Sequence, residues 1–292
     1  MLLSVPFYLS AQPDDIDPGA LSAQGIRQLT VNSYICATGS DSLAQTESYL
    51  FDRSGALISR TQSDADGTVA AAAMTYDAHG QRIFHEIQHY RHDREASVSW
   101  TPTYDARGYL VSETDNRTSL VRSYAYDEAG RRVLTEIRQG RGQVLIFSER
   151  VAYNTRGLPT QRHETEGLIE RRWLYQYDAA GRLTEVTRRI SHCIEGGAVE
   201  QERVRYAYDA QGRRIRAQRL DQRGHVLATR SYHYGADGHL ARVVNGTTET
   251  RYTRDAQGLP LTATGYHQGR RVWHKTYTYG FTLQGDAVLT VR

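Results

Sequence analysis

The stretch Tyr177-Asp178-Ala179-Ala180-Gly181-Arg182-Leu183 decides how this chain folds. An Asp opening a type I turn accepts hydrogen bonds from backbone just ahead of it, and a Gly three residues on takes the left-handed conformation that closes the turn with a bulge. Upstream, Trp173, Tyr175 and Tyr177 alternate with Leu174, Gln176 and Asp178, an arrangement that only a strand sorts onto two faces. Downstream, Leu183-Thr184-Glu185-Val186 begins a second amphiphilic strand. The stretch reads as strand, turn, strand.

The same phrase recurs as Tyr76-Asp77 to Gly80, Tyr104-Asp105 to Gly108, Tyr126-Asp127 to Gly130 and Tyr208-Asp209 to Gly212. Looser copies begin at Phe51-Asp52, Tyr153-Asn154, Tyr234-Gly235 and Arg254-Asp255. A fixed phrase repeated this often means an array of one supersecondary unit. Tyr76, Gly80, Tyr104, Gly108, Tyr126, Gly130, Tyr177, Gly181, Tyr208 and Gly212 are its structural anchors. A second, less regular set of turns joins the units, among them Asp64 to Gly67, Gly140-Arg141-Gly142, Gln222-Arg223-Gly224 and Asn245-Gly246. Turns at both ends predict an all-β fold, a long antiparallel meander of about twenty strands, twice what an open twisted sheet tolerates before it curls. The sheet is therefore expected to be strongly curved or coiled, with the Tyr and Trp ladder on its more protected face. No Pro-rich or Ser-rich linker interrupts the array, so 1–292 reads as one elongated domain. Within it 1–50 serves as N-terminal cap and first strands, 51–279 as repeats and 280–292 as C-terminal cap.

With these residues the chain resembles the RHS or YD-repeat family of bacterial proteins, whose repeat reads Tyr-Asp-x-x-Gly-Arg-Leu; residues 177–183 fit it at every position. The resemblance runs from about Phe51 to Tyr279. It implies a spiralling β-shell of the kind that encloses a toxic domain, and an association with polymorphic toxins. Two departures stand out. No separate C-terminal domain follows the repeats, and Asp17-Pro18-Gly19-Ala20-Leu21 is only a faint echo, at the other end, of the Asp-Pro-x-Gly-Leu segment that closes such shells. The toxin cargo is expected to be absent from this chain.

Composition narrows the function classes. Of 292 residues 20 are Tyr and 5 Phe, and the mean hydropathy of −0.61 is lean for a thick two-layer core. Lys275 is the only lysine, so the 36 basic residues are almost all Arg, dispersed among 33 acids for a net charge of +3. That balance forms no basic stripe, and nucleic acid is not expected as a partner. Cys36 and Cys193 lie far apart with no second ligand pair beside them in sequence, which implies no disulfide framework. Met1 to Leu9 is apolar, but it is short, lacks a basic start and contains Pro6, so it reads as a packed end and points to a cytoplasmic protein. Asp17 and Pro18 open the one segment with helix chemistry, through Gln24. No stretch reaches transmembrane length.

His85-Glu86-Ile87-Gln88-His89 spells the zinc-hydrolase pattern H-E-x-x-H, with His92 beyond it. That chemistry needs a helix, where residues four apart share a face. Here Ile83 to Ile87 aligns with Val133 to Ile137 of a sister unit, and in a strand the two histidines stand about 13 Å apart. The motif is read as coincidence. Asn116-Arg117-Thr118 and Asn245-Gly246-Thr247 are read as turn residues. No nucleophile elbow or phosphate loop is present, and the recurrent Asp residues each cap a turn. The chain is expected to be a non-enzyme, with no catalytic residue, cofactor or metal.

What remains is a wide aromatic and Arg-rich surface, the composition interface hot spots favour. The first expectation is an immunity or accessory protein that binds a cognate toxin through Arg138, Arg141, Arg188 and Arg189 on the irregular tips and the face opposite the ladder. Trp173 suits either the ladder or the contact. Two alternatives stand beside it: a carbohydrate-binding surface protein, and a detached segment of an RHS toxin-encapsulating shell. A shell segment should show raw edges at its first and last strands, and a self-sufficient protein should protect them.

Overall fold

The computed structural model describes residues 21, 24–37, 40–91, 94–115, 117–192, 199–282 and 288–291. The segment 1–20, His92, Asn116 and Cys193 lie outside them, as does most of the Asp17 to Gln24 stretch.

The described residues form a single sheet of twenty-one antiparallel strands. The chain enters through β1 (Ile26–Ala37), β2 (Ser40–Phe51), β3 (Leu57–Asp64), β4 (Gly67–Tyr76), β5 (Arg82–Arg91), β6 (Arg94–Tyr104) and β7 (Leu110–Asp115). It continues through β8 (Leu120–Tyr126), β9 (Arg132–Gln139), β10 (Val144–Tyr153), β11 (Pro159–Glu166), β12 (Ile169–Tyr177), β13 (Leu183–His192) and β14 (Val199–Tyr208). It ends with β15 (Arg214–Leu220), β16 (Val226–Tyr234), β17 (Leu240–Asn245), β18 (Thr248–Arg254), β19 (Pro260–His267), β20 (Arg270–Thr282) and β21 (Val288–Val291). Each strand pairs with its sequence neighbour, as a meander requires. In addition β1 pairs with β20, from Ile26 opposite Phe281 to Ile35 opposite Trp273. That ladder closes β1 to β20 into a ring, and β21 extends the sheet beside the end of β20. The raw edges expected of a shell segment are therefore paired, except along one side of the short β21.

The turns behave as the phrase dictates. At Asp178 the carboxylate Oδ1 accepts the Arg182 amide at 2.8 Å, the Gly181 amide reaches the Asp178 carbonyl at 3.0 Å, and Gly181 takes φ +83°. The strand register shifts by one residue at Tyr177, which is the bulge. Asp221 to Gly224 builds the same hydrogen-bonded turn, with Leu220 in the tyrosine's place. The Asp-capped turn therefore forms without the tyrosine.

Following the cross-strand pairs around the ring gives two faces. One carries Tyr49, Trp100, Tyr124, Trp173, Tyr175, Val186, Val204, Tyr206, Tyr232 and Tyr277, and most of the buried residues. The other carries Arg172, Leu174, Glu185, Arg189 and Arg205 in mid-strand. Side chains on the aromatic face also reach over an intervening strand, as Arg82 of β5 does to Glu113 of β7 and Arg122 of β8 to Trp100 of β6. Converging side chains and next-but-one contacts mark the concave side of a curved sheet, so the aromatic face lines the ring. The outward face, with its charges in mid-strand, is not the apolar band a bilayer-spanning barrel presents. Among the described residues no helix is long and apolar enough to cross a membrane.

Apolar burial concentrates at the closing seam. Leu29 and Val31 of β1, Tyr277 and Tyr279 of β20, Ala263 of β19 and Phe51 of β2 form one cluster with Leu21, Ile26 and Leu259. Elsewhere β3, β4, β8, β13, β14 and β18 contain no buried residue. A single layer with one apolar seam is what a Tyr-rich, Phe-poor chain can build. Twenty strands spaced about 4.8 Å apart and tilted as barrels require make a ring on the order of 40 Å across, too wide for side chains to fill.

Candidate functional site: a charged aromatic lining

The lining is built from acids held between arginines. Glu113, 2% exposed, meets Arg82, stands 3.9 Å from Arg122 and accepts the Tyr124 hydroxyl at 2.5 Å. Burial, then the bond to Glu113, pushes the Tyr124 phenol well above its ordinary value. Burial, aided by Arg82, pushes the neighbouring His85 imidazole down and favours its neutral form. Arg122 lies 4.0 Å over the buried Trp100 ring. A second cluster repeats the pattern: Arg162 binds Glu149 at 2.5 Å and also meets Glu164, while Arg171 binds Glu166 at 2.9 Å. Burial raises the Glu164 carboxyl, and burial raises the Tyr175 phenol to about 12. Arg162 also covers Trp173, its ring 4.9 Å away. These charges satisfy one another, so the lining is polar without a dominant sign.

The proposed contact residues scatter. Arg138 of β9 pairs with Glu136 at 3.0 Å and donates to the Gln143 carbonyl, next to the turn that exposes Arg141. Arg188 and Arg189 are adjacent in β13 and so point to opposite faces. Arg189 is exposed on the outward face, across from Arg172. Arg188 sits on the aromatic face, across from Trp173, and binds Glu202 at 2.8 Å. The placement of all four arginines on the tips or the outward face is corrected for Arg188: strand parity puts it beside the ladder. Trp173 belongs to the lining.

His85 to His89 is strand, part of β5, and Glu86 points away from His85 toward Ser97, whose hydroxyl it accepts at 2.9 Å. His85 and Glu86 therefore lie on opposite faces of the strand. One constellation escaped the sequence. Cys36 of β1, Asp41 of β2 and His274 of β20 bring their ligand atoms within 4.8 Å of one another. Sequence spacing does not reveal this cluster, because the closing ladder joins residues 238 positions apart. Burial and a hydrogen bond with Asp41 raise the Cys36 thiol; that bond, together with Arg271, holds the Asp41 carboxyl below the usual range.

A family model described as the teneurin YD-shell matches residues 19–229. A search of curated protein sequences found no match. Among solved structures, the chain is similar to the TcdB2-TccC3-Cdc42 crystal structure, at 16% identity and a TM-score of 0.46 over 90% of this chain and 16% of that one. The Photorhabdus luminescens Tc holotoxin pore gives 16% identity and a TM-score of 0.44 over 90% and 16%. A porin-like protein from Bacteroides uniformis gives 9% identity and 0.41 over 87% and 97%. The chain thus spans about a sixth of the length of the TcdB2-TccC3 chain it matches.

Proposed function

The chain belongs to the teneurin YD-shell family, and from that premise we propose that it is a non-enzymatic shell wall whose ring surrounds a polypeptide guest, in the manner of a toxin-encapsulating shell. The observation that carries this reading is the β1 to β20 ladder, which turns a repeat array into an enclosure with a lining and two rims. The immunity reading rests on family analogy and on an aromatic, Arg-rich surface with Arg138, Arg141, Arg188 and Arg189 as contacts. Arg138 and Arg188 are instead engaged with Glu136 and Glu202, and no comparison favours that reading. A lining of aromatic rings and mutually paired charges suits a loosely held, non-native chain: it offers stacking and hydrogen bonds without an apolar surface on which a guest would collapse.

The test is a guest-protection assay. An unstructured reporter peptide is fused after Arg292, and its digestion by trypsin is followed with the ring intact and with the ring denatured. Protection of the reporter in the native protein alone supports enclosure. Digestion at the same rate in both states rejects it. Tight, stoichiometric binding of a folded toxin to the outward face, lost on Arg189→Glu and untouched by lining substitutions, would restore the immunity reading. Lining-dependent binding on a glycan array would favour the carbohydrate reading instead.

A further inference from the structure

We propose that the closing seam is a zinc site, with Cys36 Sγ, Asp41 Oδ2 and His274 Nδ1 as its protein ligands and water as the fourth. The donor set is one zinc favours, thiolate, imidazole and carboxylate. The spacing fits as well. Zinc bonds of about 2.3 Å to sulfur and about 2.0 Å to nitrogen at the tetrahedral angle place the two atoms about 3.5 Å apart, and a nitrogen–oxygen pair about 3.4 Å apart. Cys36 Sγ stands 3.6 Å from His274 Nδ1, and Asp41 Oδ2 stands 3.7 Å from the same nitrogen.

That shared nitrogen separates metal binding from nucleophilic catalysis. A Cys-His-Asp relay needs the thiol on one ring nitrogen and the carboxylate on the other, so that the acid can orient the imidazole while the base takes the thiol proton. Here both groups face Nδ1, and three donors converge on one point. The surroundings hold them there. Tyr34 stacks on the His274 ring at 4.4 Å with the planes 6° apart, and Arg271 grips both carboxylate oxygens of Asp41 at 2.7 Å. Arg271 competes for Asp41 in the metal-free protein; once the ion binds, it becomes the outer partner that orients the carboxylate. On binding, the thiol gives its proton to solvent and the thiolate takes its place on the metal.

The three ligands come from β1, β2 and β20, the strands that meet where the ring closes. An ion there ties residue 36 to residue 274 and fastens the seam at the rim opposite the Tyr-Asp turns. This inference does not depend on what the ring encloses.

The experiment uses the full chain, stripped with chelator and dialysed against zinc or cobalt. One zinc per chain is expected to remain, the melting temperature to rise with zinc, and cobalt to produce a thiolate-to-metal charge-transfer band. Cys36→Ser and His274→Ala should each abolish stoichiometric binding and the zinc-dependent rise, while Cys193→Ser and His85→Ala leave both intact. Should the seam variants fail to fold, the cobalt spectrum of the Cys193→Ser protein decides, since Cys36 is then the only thiol. Absence of the charge-transfer band there, or zinc retention unchanged by Cys36→Ser, would overturn the proposal.

Discussion

The tyrosine of each phrase donates its hydroxyl to the carbonyl two residues past the glycine of the preceding Tyr-Asp turn. Tyr76, Tyr104, Tyr126, Tyr153, Tyr177, Tyr208, Tyr234 and Tyr279 all do so, at 2.7 to 3.0 Å. The arginine after the glycine completes the link: Arg182 binds Asp178 of its own turn at 2.7 Å and lies over the ring of Tyr208 in the next unit. The family's Tyr-Asp-x-x-Gly-Arg phrase is thus a set of contacts between successive hairpins. Removing one hydroxyl by Tyr208→Phe should lower stability by about 1 kcal/mol, and removing the ring by Tyr208→Ala by roughly 3–5 kcal/mol, in a urea titration. Equal losses would mean that the hydroxyl contributes nothing. The array skips one stitch, at Leu240, because Arg254 stands where the tyrosine would be. Arg254 instead donates to the Gly258 carbonyl of its own turn at 2.8 Å, so Arg254→Tyr trades one hydrogen bond for another and is expected to change stability by less than about 1 kcal/mol; a larger loss would show that the skip is required. Gly212 has φ +80° with only Arg182 atoms near, at 3.9 Å, so Gly212→Ala isolates the backbone strain, about 1–2 kcal/mol of destabilisation.

At the scale of the hairpin, the turn acids make stability depend on pH in a definite direction. The Arg182 amide and then its guanidinium hold the Asp178 carboxyl below its ordinary value, and the Arg131 guanidinium does the same for Asp127. A carboxyl whose folded pKa is depressed stabilises the fold above its unfolded pKa and loses that contribution as pH falls through the folded one. Stability should therefore decline from about pH 4 downward. Buried Glu164, with its carboxyl raised, works in the opposite sense. Asn154 shows that an uncharged amide caps the same turn, accepting the Arg156 and Leu158 amides at 3.0 Å. Asp178→Asn should keep the hairpin and flatten the acid limb of thermal melts; an unchanged limb would place the pH dependence elsewhere. Hairpins of this kind were legible in the sequence because their causes are local: alternation along a strand, a capping Asp, a Gly at positive φ. The turn at Gln222-Arg223-Gly224 was legible as a turn but not as a copy of the Asp-capped phrase, because Leu220, buried at 2% exposure, stands in place of the tyrosine. The seam cluster and the face of Arg188 were not legible. The first depends on a pairing 238 residues long, and the second on strand parity that adjacent arginines disguise.

At the scale of the whole molecule, the question is whether the ring holds itself shut. An open array of this length ends in two strands whose amides and carbonyls are unpaired, a template for edge-to-edge aggregation. Closure pairs the edge of β1 with β20 and leaves only the short β21 as an edge among the described residues, but it brings together segments more than two hundred residues apart, and its loop entropy has no local compensation. That cost accounts for where the apolar residues are. Leu29, Val31, Tyr277 and Tyr279 face one another across the ladder and are all under a tenth exposed, whereas much of the wall between has no buried side chain. The seam is therefore expected to be among the last parts of the ring to open. In native-state hydrogen exchange, the amides of β1 and of β20 from Trp273 to Phe281 should be protected at least as well as those of mid-ring strands such as β13. Val31→Asp should selectively lift that protection and bring concentration-dependent association through the freed edges, while Thr187→Asp, on the outward face of β13, should do neither. If β1 exchanges as fast as a frayed terminus in the unmodified protein, the ring is open in solution, and enclosure of a guest fails with it.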